Sequence, residues 1–175
     1  KEGDIDFITD FCDKNNIKLF VPEVRKIEEK AISSTIIRKL IQDGELDNIP
    51  SLLGKFYGFE ANVVHGSHRG RLLSYPTANF VPLNKNQVLP QQGVYFSKVV
   101  LDSELFFGMC NIGFRPTFNE KKFVMEVHIL SNKFSDLYDK NFYIEFLLKI
   151  RDERRFDNQE ELVEQIKKDE DLCIK

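Results

Sequence analysis

From Phe56 onward the chain runs in short apolar stretches broken by Gly, Pro and Asn, with apolar and polar positions alternating, as antiparallel strands require. The spacing predicts strands over Phe59–His65, Gly93–Leu101, Leu105–Ile112, Phe123–Leu130 and Phe142–Ile150, with a shorter extended piece around Thr77–Val81. In the last long strand Phe142, Ile144, Phe146, Leu148 and Ile150 share one face, and Tyr143, Glu145 and Lys149 take the other. About six short strands with few helices between them suggest closure into a small barrel, which removes exposed edges. The fold class expected is mainly β.

Before Phe56 the period is helical. Ile5, Ile8, Phe11 and Cys12 define one helix, Asn15 and Asn16 a turn, and Ile17–Val21 a short strand. Ser33 or Ser34 can cap a second helix with the face Ile36, Ile37, Leu40 and Ile41, ended at Gly44. A helical turn from Glu45 to Leu53, restarted at Pro50, follows and closes at Gly54. At the other end a helix starts near Asn158, with Asp157 and Glu160 resembling a capping box and Leu162, Ile166 and Asp169 tracking one face.

Composition narrows the picture. The 175 residues suffice for one well-buried domain with a smaller appendage. A formal net charge of -3 gives no field to draw in a polyanion, so nucleic acid is not an expected partner and any phosphate site must be local. No apolar run reaches the roughly 20 residues of a membrane span, so no membrane association is expected. Cys12, Cys110 and Cys173 are odd in number and widely spaced, which fits a reducing, cytoplasmic setting. A start at KEGDIDF without methionine suggests a piece of a longer protein.

The chemistry concentrates in His65–Phe80. Gly66 and Gly70 can bring backbone N–H groups close to an anion, among His65, His68, Arg69 and Arg71. Pro76 holds Tyr75 extended, so Thr77 and Asn79 present oxygens on one side, as hard-cation ligands or as side chains that satisfy their own turn. In the strand Phe123–Leu130, Val124, Glu126, His128 and Leu130 share a face. Glu126 interrupts an apolar strand, either as a solvated residue or as a functional base. His128 is placed to orient a neighbour or touch a ligand; His65 and His68 share a spacing seen in metal sites, but no Cys or acidic partner completes a set, so zinc is not expected. Arg151, Glu153, Arg154 and Phe156, where a strand meets a helix, can offer donors and an aromatic edge to a heterocycle, although most such charged runs are solvated connections.

Taken in order, these runs resemble the riboflavin kinase domain over roughly Leu53 to Asp169. The matching stretches are His65–Arg71, Tyr75–Asn79, Pro90–Tyr95, Asn111–Phe118, Glu126–His128, Asp136–Tyr138 and Arg151–Phe156; Ser74 and Asp139 stand where the family usually has glycine. Ile32–Arg38 is similar to the motif that closes the adenylyltransferase half of bacterial bifunctional riboflavin kinase/FAD synthetases. The resemblance implies a remnant of that half over residues 1–50 and a six-stranded antiparallel Greek-key barrel with a C-terminal helix over 51–175. It implies transfer of the γ-phosphoryl of ATP to the 5′-hydroxyl of riboflavin, giving ADP and FMN, with Mg²⁺ accompanying ATP. Glu126 would be the general base. Gly66, Arg71, Thr77, Asn79 and His128 would bind ATP, with Thr77 and Asn79 also holding the metal. Arg151, Glu153, Arg154 and Phe156 would bind the flavin. FAD synthesis is not expected of this chain alone, and a flavin-binding barrel without chemistry is the alternative.

Overall fold

A computed structural model describes residues 5–21, 26–27, 30–66, 75–116, 121–131 and 140–174. The chain divides into two units, Lys1–Ser33 and Ser34–Lys175. The first holds helix α1 (Ile5–Lys14) and a two-stranded antiparallel pair, β1 (Lys26–Ile27) and β2 (Lys30–Ala31). The strand expected at Ile17–Val21 does not form: Ile17 is 51% and Phe20 83% exposed. Apolar composition alone cannot make a strand where, among the described residues, no strand pairs with it and no face is buried.

The second unit opens with α2 (Ser34–Gln42), a 3-10 turn (Leu46–Asn48) and α3 (Ile49–Leu53). Gly44 and Gly54 end these segments with φ of 78° and 72°, the left-handed conformation that glycine adopts without strain. Pro50 sits in the first turn of α3, where its missing N–H costs nothing. Ile41, Leu46 and Ile49 are buried in the same core as the barrel strands, so this helical stretch plugs one end of the sheet.

The strands are β3 (Tyr57–Val64), β4 (Ala78–Pro82), β5 (Gly93–Leu101), β6 (Glu104–Pro116), β7 (Lys121–Ile129) and β8 (Asn141–Arg151). They close in the order β3-β4-β7-β6-β5-β8, every pair antiparallel. Strands β5, β6 and β7 follow one another as neighbours, and β8 returns to lie beside β5, which is a Greek key. The interior is packed with apolar groups, including Phe59, Phe80, Tyr95, Phe142 and Phe146. Phe80 meets Phe142 edge-on at 5.3 Å, and Tyr95 meets Phe146 edge-on at 5.6 Å.

The alternation expected along β8 holds from Phe142 to Phe146 and then fails. Register shifts against β5 lie between Phe96 and Ser97 and between Val94 and Tyr95, and Leu148 is 49% exposed. A bulge inserts a residue and turns the following side chains to the opposite face.

The final helix, α4 (Gln159–Ile174), is capped one residue later than the sequence suggests. Asn158 Oδ1 accepts from the Glu161 backbone N–H at 2.9 Å, and Asn158 Nδ2 donates to Glu161 Oε1 at 3.2 Å, in place of the Asp157 and Glu160 pair. Helix α4 packs on β6.

Candidate active site

The outer face of the barrel where β4, β7 and β6 run side by side carries the candidate chemistry. Glu126 on β7 lies opposite Asn79 on β4 and opposite Asn111 on β6, a row of three polar residues across three strands. Their inward-facing neighbours, Ala78, Phe80, Cys110, Ile112, Met125 and Val127, are all in the core, and period-two geometry therefore turns the polar row outward. Glu126 is half-buried, and its Oε2 accepts a 3.0 Å hydrogen bond from the Thr77 hydroxyl. Gly66, just past β3, lies against the same place: a Cβ there would fall 2.2 Å from Asn79 Nδ2. Gly66, Thr77, Asn79 and Glu126, drawn from three separate runs of sequence, thus converge.

His128, two residues along the same face, is fixed by its neighbours. Its Nδ1 lies 2.8 Å from the Pro76 carbonyl oxygen, and since a carbonyl only accepts, Nδ1 carries the proton and donates. The Tyr75 ring packs edge-on against the imidazole at 5.2 Å. Tyr75 in turn donates to Glu170 Oε2 on α4 at 3.3 Å, and its phenol pKa is raised by burial and then by the Glu170 charge. Beneath the row, the Cys110 thiol is wholly buried and its pKa is pushed up by that burial and then by the Glu126 charge.

The second predicted group sits past the end of β8. Glu153 reaches back over β6, where Oε2 accepts from the Phe114 backbone N–H at 3.4 Å, and a Cβ on Gly113 would overlap its carboxylate. Gly113 is two residues from Asn111, on the same outward side, so the Glu153 carboxylate and Glu126 lie on one face of the β6–β7 pair. The Arg154 guanidinium stacks on Phe156 at 4.6 Å from the ring centre. Arg151 is engaged by α4: its Nε and Nη2 donate to Asp169 at 2.9 and 2.8 Å. Arg71, with Gly70, Ser74, Asp136–Tyr138 and Asp139, lies outside the described residues.

Sequence reading missed Asn111, Tyr75 and Glu170 as parts of this neighbourhood. Asn111 and Tyr75 each had a signal, since each opens one of the recognisable runs; Glu170 had none, because it meets Tyr75 across 95 positions with no local pattern to announce the contact.

Oxygen donors dominate: the Thr77 hydroxyl, the Asn79 amide and the Glu126 carboxylate suit a hard divalent cation that takes few protein ligands and shares the rest of its shell with phosphate and water. Among the described residues no group of three His, Cys, Asp or Glu is placed to hold a metal ion, so no dedicated all-protein cage is present there.

Comparison with known proteins decides the family. The riboflavin kinase (flavokinase) family model matches residues 53–175. The chain belongs to the riboflavin kinase family. It is 40% identical over 151 residues to the bifunctional riboflavin kinase/FMN adenylyltransferase of Bacillus subtilis (strain 168), covering 85% of this chain and 47% of that protein. Against the proteins of the same description from Haemophilus influenzae and Escherichia coli (strain K12) it is 41% identical, over 82% and 79% of this chain and 46% and 44% of theirs. The chain spans about half the length of these curated relatives. A crystal structure described as a macrolide-efflux protein from Streptococcus pneumoniae superposes with a TM-score of 0.82 at 33% identity, covering 94% of this chain and 54% of that one. Residues 53–175 are therefore a riboflavin kinase domain, homologous to the kinase half of the bifunctional proteins, and the barrel and C-terminal helix expected from sequence are present.

Proposed function

We propose that this riboflavin kinase domain transfers the γ-phosphoryl group of ATP to the 5′-hydroxyl of riboflavin, with Glu126 as general base. The observation that supports the reading is the convergence of Thr77 and Asn79 on Glu126, with Gly66 against Asn79, on the sheet face that the Glu153 carboxylate also covers. In phosphoryl transfer the protein chiefly positions the reactants and offsets charge, with one group to receive the alcohol proton. Glu126 accepts the proton of the riboflavin 5′-hydroxyl as its oxygen bonds to the γ-phosphorus; the bond from that phosphorus to the β,γ-bridging oxygen breaks, and ADP leaves. Gly66, Arg71, Thr77, Asn79 and His128 bind the nucleotide. Glu153, Arg154 and Phe156 cover the flavin, with Arg151 at the root of the lip.

Thr77 and Asn79 are the residues that would hold Mg²⁺ with the nucleotide, and the ion would supply charge neutralisation at the phosphates. The Thr77 hydroxyl also steers the Glu126 carboxylate, and the half-burial of the pair limits water around the reacting hydroxyl. Three free cysteines and the nature of the substrates support a cytoplasmic site of action.

We assign residues 1–50 to the end of an adenylyltransferase half. The 151-residue match to the Bacillus subtilis protein is longer than the stretch 53–175 and so runs into the residues before Leu53. FMN adenylylation is not expected of this chain. No observation on the molecule favours efflux: no helix among the described residues is long and apolar enough to cross a membrane, and the barrel interior is packed with side chains.

Incubation with riboflavin, ATP and Mg²⁺ followed by separation of the flavins tests the proposal. FMN is the expected product; riboflavin that binds but is recovered unchanged supports a flavin-binding barrel without chemistry instead.

A further inference from the structure

We propose that helix α4 is a clasp that sets the spacing between the two halves of the site, with Asp169 positioning the flavin lip and Glu170 positioning the nucleotide turn. The inference rests on the kinase reading above and adds to it two residues outside both substrate-binding groups.

Asp169 is 2% exposed, a carboxylate buried on the inner side of α4. Removing such a group from water is costly unless its oxygens are fully taken up. Here they are: Arg151 Nε lies 3.1 and 2.9 Å from the two oxygens, Arg151 Nη2 2.8 Å from Oδ2, and Gln165 Nε2 donates to Oδ1 at 2.8 Å. The guanidinium fork has one planar fit to a carboxylate, so Asp169 fixes its orientation as well as its place. Arg151 then passes that constraint into the lip. Its Nη1 donates to the Asp152 carbonyl at 3.1 Å, and its guanidinium carbon lies 5.8 Å from the centre of the Phe156 ring on which Arg154 also stacks.

Glu170 is the next residue, about 100° further round the helix. It faces the other loop, accepting from the Tyr75 hydroxyl at 3.3 Å. Tyr75 holds His128 edge-on, His128 donates to the Pro76 carbonyl, and Thr77 follows with its bond to Glu126. One turn of a helix seated on β6 therefore touches the root of the lip and the root of the nucleotide turn. The distance between them is set by rigid secondary structure, whereas each loop by itself could drift.

Steady-state kinetics of the whole chain test this with two separate substitution sets. Asp169→Asn and Arg151→Lys are expected to raise the riboflavin KM roughly tenfold or more, as misplacement of a positioning group does, with the ATP KM and kcat little changed. Tyr75→Phe, which keeps the ring against His128, and Glu170→Gln are expected to raise the ATP KM several-fold and leave the riboflavin KM alone. Thermal melting accompanies each variant. If Asp169→Asn does not fold, Arg151→Lys and Tyr75→Phe decide the matter. Unchanged KM values, or a fall in kcat alone that tracks lost stability, would overturn the clasp. The kinase reading is judged separately by the wild-type protein: without FMN from wild type both fall, whereas FMN from wild type with unmoved KM values in the variants removes only the clasp.

Discussion

The Thr77 hydroxyl donates a 3.0 Å hydrogen bond to Glu126 Oε2, joining the turn that follows Pro76 to the middle of a strand 49 residues on. A hydrogen bond to a charged group contributes about 1.5–3 kcal/mol, so Thr77→Ala should lower kcat/KM for ATP by roughly ten- to a hundredfold. Thr77→Ser, which keeps the hydroxyl, should restore most of it. Equal activity in the alanine and serine variants would remove the hydroxyl from the site.

Gly66 is placed so that a methyl group would collide with the Asn79 amide, 2.2 Å from Nδ2. The amide is the end of a short side chain and can swing away, so Gly66→Ala should fold normally while raising the ATP KM several-fold. Because the loss acts through Asn79, adding Asn79→Ala to Gly66→Ala should cost little more than Asn79→Ala alone, a non-additivity expected of residues in contact. Additive losses would separate the two positions.

Much of the architecture was legible because strands with one buried face leave a period-two record: β5 spans Gly93–Leu101 as the alternation predicts, and β7 buries Met125, Val127 and Ile129 while turning Glu126 and His128 outward. The errors share a cause, since local pattern does not report partners. Ile17–Val21 has the composition of a strand and, among the described residues, no strand paired with it. Leu148 follows the apolar alternation of β8 but is turned out by an extra residue in β8 itself, Leu147, which apolar composition does not distinguish from its neighbours and which only the pairing with β5 reveals. The site residues Gly66, Thr77, Asn79 and Glu126 were visible through recognisable runs. That Arg151 would be spoken for by Asp169 was not visible, because an acidic residue on the apolar face of a helix says only that some partner exists.

The cap of α4 offers a stability test. Asn158→Ala removes the bond to the Glu161 N–H and should cost about 1 kcal/mol, while Asp157→Ala should cost a few tenths at most. Denaturant unfolding of the two variants compares them directly. A larger loss at Asp157 would return the cap to the position the sequence suggested.

Stability should also fail on the alkaline side. Burial raises the Cys110 thiol and the Tyr95 phenol above their ordinary values of 9.0 and 10.0. Below pH 9 both are protonated in the folded and unfolded chain alike, so they confer no pH dependence there. As pH rises past 9 and then past 10, the unfolded chain releases protons that the folded barrel retains, and stability falls, by about 1.4 kcal/mol per pH unit for each such group. Urea unfolding should show a flat profile at neutral pH and a decline above 9; because burial also raises the Cys173 thiol from 9.0, Cys110→Ala should make the decline between 9 and 10 shallower without abolishing it. A profile unchanged by the substitution would contradict the assignment to Cys110.

The most direct measurement is transfer of γ-labelled phosphate from ATP to riboflavin by wild-type protein and Glu126→Gln side by side, with riboflavin binding followed by quenching of flavin fluorescence. The wild type should label FMN in step with ADP release. Glu126→Gln should bind riboflavin with the same affinity and transfer phosphate about 10²- to 10⁴-fold more slowly, the range for loss of a general base. Label in FMN at a near-normal rate from the variant, or no label from wild type that binds both substrates, would contradict the account.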